Sequence, residues 1–231
     1  MKILVINGSP RGEGSNTMKL VNAFIDGAGW TEVETLHISK MKVDGCLGCF
    51  SCWSKTPGKC VLKDDMADAL QKVLDADVII KAFPLYNCYF PGPMKTFMDR
   101  MLPLSLPYMD REAESGGHPS RYDMSKKRGV IISTCGFWTA EGNYHVVESL
   151  LSRAPEENAS ETIFCGQGEL FNVEEARELT LPYLEHVRQA GRDYVAGGKI
   201  TAKTKELLAI PLLDRETFER MADGSWGDEA R

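Results

Sequence analysis

At 231 residues, 43% hydrophobic and 26% charged, the chain has material for one α/β domain with elaborations rather than two full domains. A formal net charge of -6 with no dense block of Lys or Arg argues against nucleic acid as a partner. No stretch has the length of a membrane span, and MKILVI runs straight into Asn7-Gly8-Ser9-Pro10 with no signal-peptide pattern, so a cytoplasmic protein with no membrane partner is expected.

Residues 2–6 (KILVI) form an unbroken apolar run suited to a parallel strand buried on both faces. A Gly- and Ser-rich turn follows, then an apolar-periodic helix over 16–28 and an alternating strand over 33–38 (VETLHI). A cysteine-rich excursion occupies 40–62. Asp64-Asp65 is expected to cap the next helix, which carries Met66, Ala69, Leu70, Val73 and Leu74 on one face. DVIIKAF at 77–83 is a core strand, and Pro91-Gly92-Pro93 leads into a helix over 94–101. Residues 103–126, rich in Pro, Gly and charge, read as an irregular insertion. GVIIST (129–134) and ETIFCG (161–166) are the fourth and fifth strands, separated by a helix from Asn143 to Arg153. A long helix over 173–196 precedes a tail with a short helix near 214–222.

Strands alternating with helices imply a parallel sheet covered on both sides by right-handed crossovers. Five strands fit the flavodoxin-like three-layer sandwich of order 2-1-3-4-5, with its ligand beyond the carboxyl ends of the strands. The expected division is a domain over 1–196 and a tail over 197–231. The strand ends that matter are then those after residues 6, 83 and 133.

The first strand end carries NGSPRGEGSNT. Glycines permit a tight turn, and Ser9, Ser15 and Thr17 offer hydroxyls to a phosphate. Asn16 opens the helix whose free amides favour an anion, and Arg11 adds a cation. A Walker A loop needs Gly-Lys-Ser/Thr where Gly14 is followed by Ser-Asn, and the dinucleotide pattern G-x-G-x-x-G fails at Thr17. A phosphate monoester fits better than either, and better than a plain serine-capped turn. The second end, Pro84-Leu85-Tyr86-Asn87-Cys88, offers apolar flanks and backbone groups to a flat ring, while Tyr89 and Phe90 suit either ring contact or packing beneath the loop or at a subunit contact. The third, Thr134-Cys135-Gly136-Phe137, allows close backbone approach at Gly136. Cys88 and Cys135 are better read as small buried hydrophobes than as redox thiols.

These three segments, with Lys95-Thr96-Phe97-Met98-Asp99-Arg100, resemble the phosphate loop, flavin-ring loops and following helix of the NADPH-dependent FMN reductases over about residues 1–195. The resemblance implies non-covalent FMN, with NAD(P)H as co-substrate. Electrons then pass to a quinone, a flavin, another small acceptor or a redox protein, within a homodimer or higher oligomer. Because the flavin carries the chemistry, no protein acid or base is required and no catalytic residue is assigned.

Cys46, Cys49, Cys52 and Cys60 form C-x2-C-x2-C-x7-C, a spacing that can bring thiolates onto one soft centre. It resembles the iron–sulfur flavoproteins, which hold a [4Fe–4S] cluster beside FMN. Four free thiols, a zinc site, or a Cys52–Cys60 disulfide formed on oxidation remain open at this point. A cluster near the flavin would govern which acceptor takes its electrons. It would also favour an electron carrier over an enzyme, and a flavin- or redox-sensing module is a third alternative. The four histidines (His37, His118, His145, His186) show no ligand spacing. Asp99-Arg100 suggests an exposed ion pair or a subunit contact, and Trp226 is expected to pack on a surface or on a partner subunit.

Overall fold

The structure is a computed structural model that describes residues 1–111, 116–152 and 160–227. Five strands, β1 (Ile3–Asn7), β2 (Val33–His37), β3 (Val78–Pro84), β4 (Arg128–Thr134) and β5 (Glu161–Cys165), form one sheet of order β2-β1-β3-β4-β5. Every neighbouring pair is parallel. Alternate residues of each strand face opposite layers. Ile3 and Val5 pack with α1 (Asn16–Ala28) and α5 (Arg177–Gly197), while Leu4 and Ile6 pack with α2 (Met66–Asp75), α3 (Gly92–Asp99) and α4 (His145–Leu151). A strand buried on both faces must be apolar at every position, which is why the run at the N-terminus shows no alternation. The backbones of α1 and α5 touch: a Cβ at Gly27 or Gly191 would collide with a carbonyl oxygen of the facing helix, Arg188 O or Phe24 O.

Several elements differ from expectation. The helix expected from 94 starts at Gly92, because Pro93 needs no N–H in a first turn. α4 begins at His145 and is described to Leu151, and its expected end at Arg153 lies outside the described residues. Short 3₁₀ turns over Gly168–Asn172 and Glu174–Ala176 delay α5 to Arg177. The insertion is not shapeless. Leu106 N donates to Pro119 O and Arg121 N to Leu104 O, closing it into a narrow returning arm whose residues 112–115 lie outside the described set.

The segment expected as a tail holds two helices, α6 (Ala202–Leu208) and α7 (Arg215–Gly224). The first begins where the Thr201 hydroxyl accepts from Thr204 N, a capping signal within reach of the sequence. Both pack back on the body. Tyr183 Oη donates to Leu208 O, Trp138 Nε1 and Gln167 Nε2 donate to Leu213 O, and Phe218 packs with Leu170. Trp226 is 75% exposed rather than packed on the chain. No helix among the described residues is long and apolar enough to cross a membrane.

Candidate active site

The loop after β1 is shaped from inside by Asn7, which is fully buried. Its Oδ1 accepts from Ser9 N at 2.9 Å, and its Nδ2 donates to Gly12 O at 3.0 Å. Gly12 N bonds Ser9 O, and Gly14 N bonds Arg11 O, so the loop folds into a short 3₁₀ turn before α1. Gly12 sits at φ +58°, where a Cβ would be strained and would crowd Lys40. Ser15 is the N-cap of α1 and only 2% exposed, yet its hydroxyl makes no capping bond. Asn16 Oδ1 is buried and has no partner. Thr17 Oγ1 lies 2.7 Å from Thr134 Oγ1 and ties this loop to the loop after β4.

Tyr86 and Tyr89 pair across Asn87 and Cys88, at φ +49° and +59°. This is a tight two-residue hairpin turn, a place usually given to Asn-Gly. It turns Phe90 into the core and leaves Tyr86 half exposed. Leu85 N donates to Thr134 O, and Cys135 N to Cys165 O, so the loops after β3, β4 and β5 are stitched side by side.

Together these loops enclose an open cleft of about 170 Å³, lined by Ser9, Arg11, Ser15, Asn16, Thr17, Pro84, Leu85, Tyr86, Thr134, Cys135, Gly136, Gly168 and Glu169. Of the residues singled out from the sequence, Asn87, Cys88 and Phe137 lie outside this lining. The sequence reading omitted Gly168 and Glu169. It also gave His37 no part in shaping the loop after β1, where its Nδ1 is 3.0 Å from Asn7 Nδ2 and its Nε2 is 2.7 Å from Glu13 Oε1. The signal lay in the strand order. His37 pairs in register with Asn7, so the end of β2 stands beside the loop after β1, and Thr134 pairs with Cys165, so the end of β5 stands beside the loop after β4. Glu169 is exposed overall, but desolvation of its carboxyl end pushes its pKa up. Burial likewise raises the Cys135 thiol and pushes Cys165 up to about 12. Both thiols therefore stay protonated near neutrality, in keeping with packing roles. His145 is exposed on α4, with Nδ1 3.0 Å from Gly142 O.

A profile of the NADPH-dependent FMN reductases matches residues 1–154. The chain belongs to that family. An iron-sulfur flavoprotein of Archaeoglobus fulgidus is 42% identical to this FMN reductase relative over 106 residues, 45% of this chain and 46% of that protein. One from Methanocaldococcus jannaschii is 34% identical over 119 residues, 50% of this chain and 60% of that protein. The chain thus spans about half the length of the curated relatives it matches. Among solved structures, an azoreductase from Bacillus anthracis superposes with a TM-score of 0.60 at 18% identity, covering 84% of this chain and 99% of that one, which shows a shared fold.

The family member's second notable region is the excursion after β2. Its base is laced shut: Lys42 N donates to Asp65 Oδ2, Asp65 N to Lys42 O, and Asp44 N to Asp64 Oδ2. The acidic pair expected only to cap α2 therefore does more. Asp64 accepts from Met66 N at the helix start, while Asp65 makes no side-chain capping bond. Arg100, expected at the surface, is 1% exposed and grips Asp64 at 2.6 and 2.9 Å, while Asp99 pairs with Lys95 outside. The Arg100 guanidinium holds the Asp64 carboxyl down at about 2. Trp53 Nε1 donates to Leu102 O, pinning the excursion to the turn after α3.

Cys46, Cys49, Cys52 and Cys60 all line one small pocket, with Leu47, Phe50, Val61, Leu62, Asp99, Arg100, Leu102 and Pro103. The thiols surround a common opening without being drawn to one centre. Among the described residues, no group of three or more His, Cys, Asp or Glu side chains forms a ready ligand set. This pocket and the cleft at the ends of the strands share no lining residue. α3 joins them, with the Pro84–Cys88 loop before its start and Arg100 at its end, a length of roughly 12 Å at 1.5 Å per residue.

Proposed function

We propose that the chain is an FMN-dependent oxidoreductase that takes reducing equivalents from NAD(P)H and passes them to a quinone, a flavin, another small acceptor or a redox protein. The observation that carries this reading is the cleft itself, where loops far apart in sequence meet and the hydroxyls of Ser9, Ser15 and Thr17 gather with Arg11 at the start of α1. FMN would supply the hydride-accepting and electron-donating chemistry there. In this reading Ser9, Ser15, Asn16, Thr17 and Arg11 hold a terminal phosphate at the start of α1. Pro84, Leu85, Tyr86, Thr134, Cys135 and Gly136 flank the ring, with Asn87, Cys88 and Phe137 around its rim. Residues 1–196 carry the site, and Leu213, in the segment that follows, braces the β4 and β5 loops. The reading includes a homodimer and the reducing cytoplasm, where seven free cysteines persist. Fluorescence titration tests it: FMN should bind more tightly than FAD or ATP, and bound protein should oxidise NADH or NADPH with a quinone present. Preference for FAD or ATP would overturn it, and a monomer by light scattering with flavin bound would remove the dimer.

A second reading, an iron–sulfur flavoprotein electron carrier, is favoured by the four cysteines that line one pocket. The donor set suits a [4Fe–4S] cluster held by Cys46, Cys49, Cys52 and Cys60, which would supply one-electron chemistry. Anaerobic protein should then be brown and contain iron. Cys49→Ala should lose the iron but keep FMN, because the phosphate loop is built from other residues. Negligible iron after anaerobic reconstitution would leave a plain FMN reductase with four thiols.

A further inference from the structure

Arg100 caps the C-terminus of α3, and its side chain is closed off from solvent. Asp64 takes a fork from Nη1 and Nη2, and Asp44 O accepts from Nη1 at 2.6 Å. Those bonds fix the guanidinium plane. The remaining Nε is fully buried and meets no acceptor in hydrogen-bonding geometry. A buried cationic donor left unsatisfied forfeits its hydration with nothing in return. Folded proteins rarely leave such a group unmet.

The place toward which Arg100 is held is the cysteine pocket, and the Cys60 sulfur is its neighbour there. Other charged groups are accounted for. Asp99 is paired with Lys95 on the surface, and Asp64 is consumed by Arg100 and by the amides of Asp44 and Met66. What Nε–H lacks is a strong, soft acceptor on the pocket side.

We infer that Arg100 Nε–H is a built-in donor to the Cys60 sulfur when the four cysteines hold an iron–sulfur cluster. Arg100 is then a positioning residue that tunes the cluster and is not a ligand; this rests on the iron–sulfur reading above. A cationic N–H on a ligand sulfur stabilises the more electron-rich state, so it raises the reduction potential. Asp64 has a matching role: it aims the donor and accepts from Asp44 N, while Arg100 Nη1 donates to Asp44 O, so the pair fixes the chain two residues before Cys46.

The test uses the full chain, purified anaerobically and reconstituted with iron and sulfide, as wild type and as Arg100→Lys and Arg100→Gln. Iron, sulfide, FMN content and far-UV circular dichroism are measured first, then both midpoint potentials by titration. The Lys variant keeps the positive charge but has no Nε–H in the fork geometry. The expected result is a loaded Lys variant whose cluster potential is more negative than wild type and whose FMN potential is unchanged. Should both variants fail to fold, wild-type protein labelled with ¹⁵N-arginine decides: pulsed EPR of the reduced cluster should detect a weakly coupled nitrogen. An unshifted potential in a loaded variant, or no ¹⁵N coupling in wild type, overturns the assignment of Arg100 alone. Wild-type protein that takes up no iron removes the cluster reading and this inference with it.

Discussion

The loops after β1 and β2 leave neighbouring strands on the same edge of the sheet, yet they are built by opposite means. The loop after β1 is short and shaped by local bonds: Asn7 to Ser9 and Gly12, Gly12 to Ser9, Gly14 to Arg11. The cysteine excursion has little regular structure and hangs on distant side chains, above all the Arg100–Asp64 pair and Trp53 on Leu102 O. Many small local terms make the first robust to any single change. The second concentrates its support in one buried ion pair, where removing a partner leaves an uncompensated charge.

The largest expected effect tests that concentration. Asp64→Ala should destabilise the fold by about 3–5 kcal/mol, since it strands a buried guanidinium, and urea unfolding would read it. A loss below about 1 kcal/mol, the range of exposed pairs, would mean that the excursion is not held this way.

In the loop after β1, Ser15→Ala with Thr17→Ala should weaken FMN binding by roughly 2–4 kcal/mol, about 1–2 for each hydrogen bond to an anion. Thr17 also bonds Thr134, so Thr134→Ala alone measures the inter-loop share, about 1 kcal/mol of stability. Full FMN affinity in the double variant would show the phosphate to lie elsewhere.

Acid should separate the two regions as well. The folded pKa of Asp64 is depressed to about 2 from 3.8, so its contribution is present in full above 3.8 and is lost as pH falls toward 2. The amount is roughly 2 kcal/mol at about 1.4 kcal/mol per pKa unit. Asp64→Asn should flatten the stability–pH curve in that window; an unchanged slope would assign it to other carboxyls.

The smallest effect lies at the hairpin turn. Cys88 holds φ +59°, so Cys88→Gly should stabilise the protein by about 1 kcal/mol and raise Tm by roughly 2–4 °C. A lower Tm would show that the side chain packs usefully enough to outweigh the strain.

Local pattern was enough for the order of the five strands, for α1 with its observed bounds and for the cleft-lining residues of the β1, β3 and β4 loops, because burial on two faces and helical periodicity are written in neighbouring residues. The motifs also pointed to the family that the profile match shows. Long-range placement decided the rest. Asp99 and Arg100 are adjacent in sequence, yet one lies at the surface and the other in a buried fork with Asp64, since only the packing of α3 against the excursion determines which side chain loses its water. Gly168 and Glu169 join the cleft from beyond β5, His37 reaches Asn7 and Glu13 through strand register, and α6 and α7 return to brace the loops by bonds that span much of the chain. Such contacts leave no periodic trace, because each depends on a partner whose position exists only after the sheet has formed.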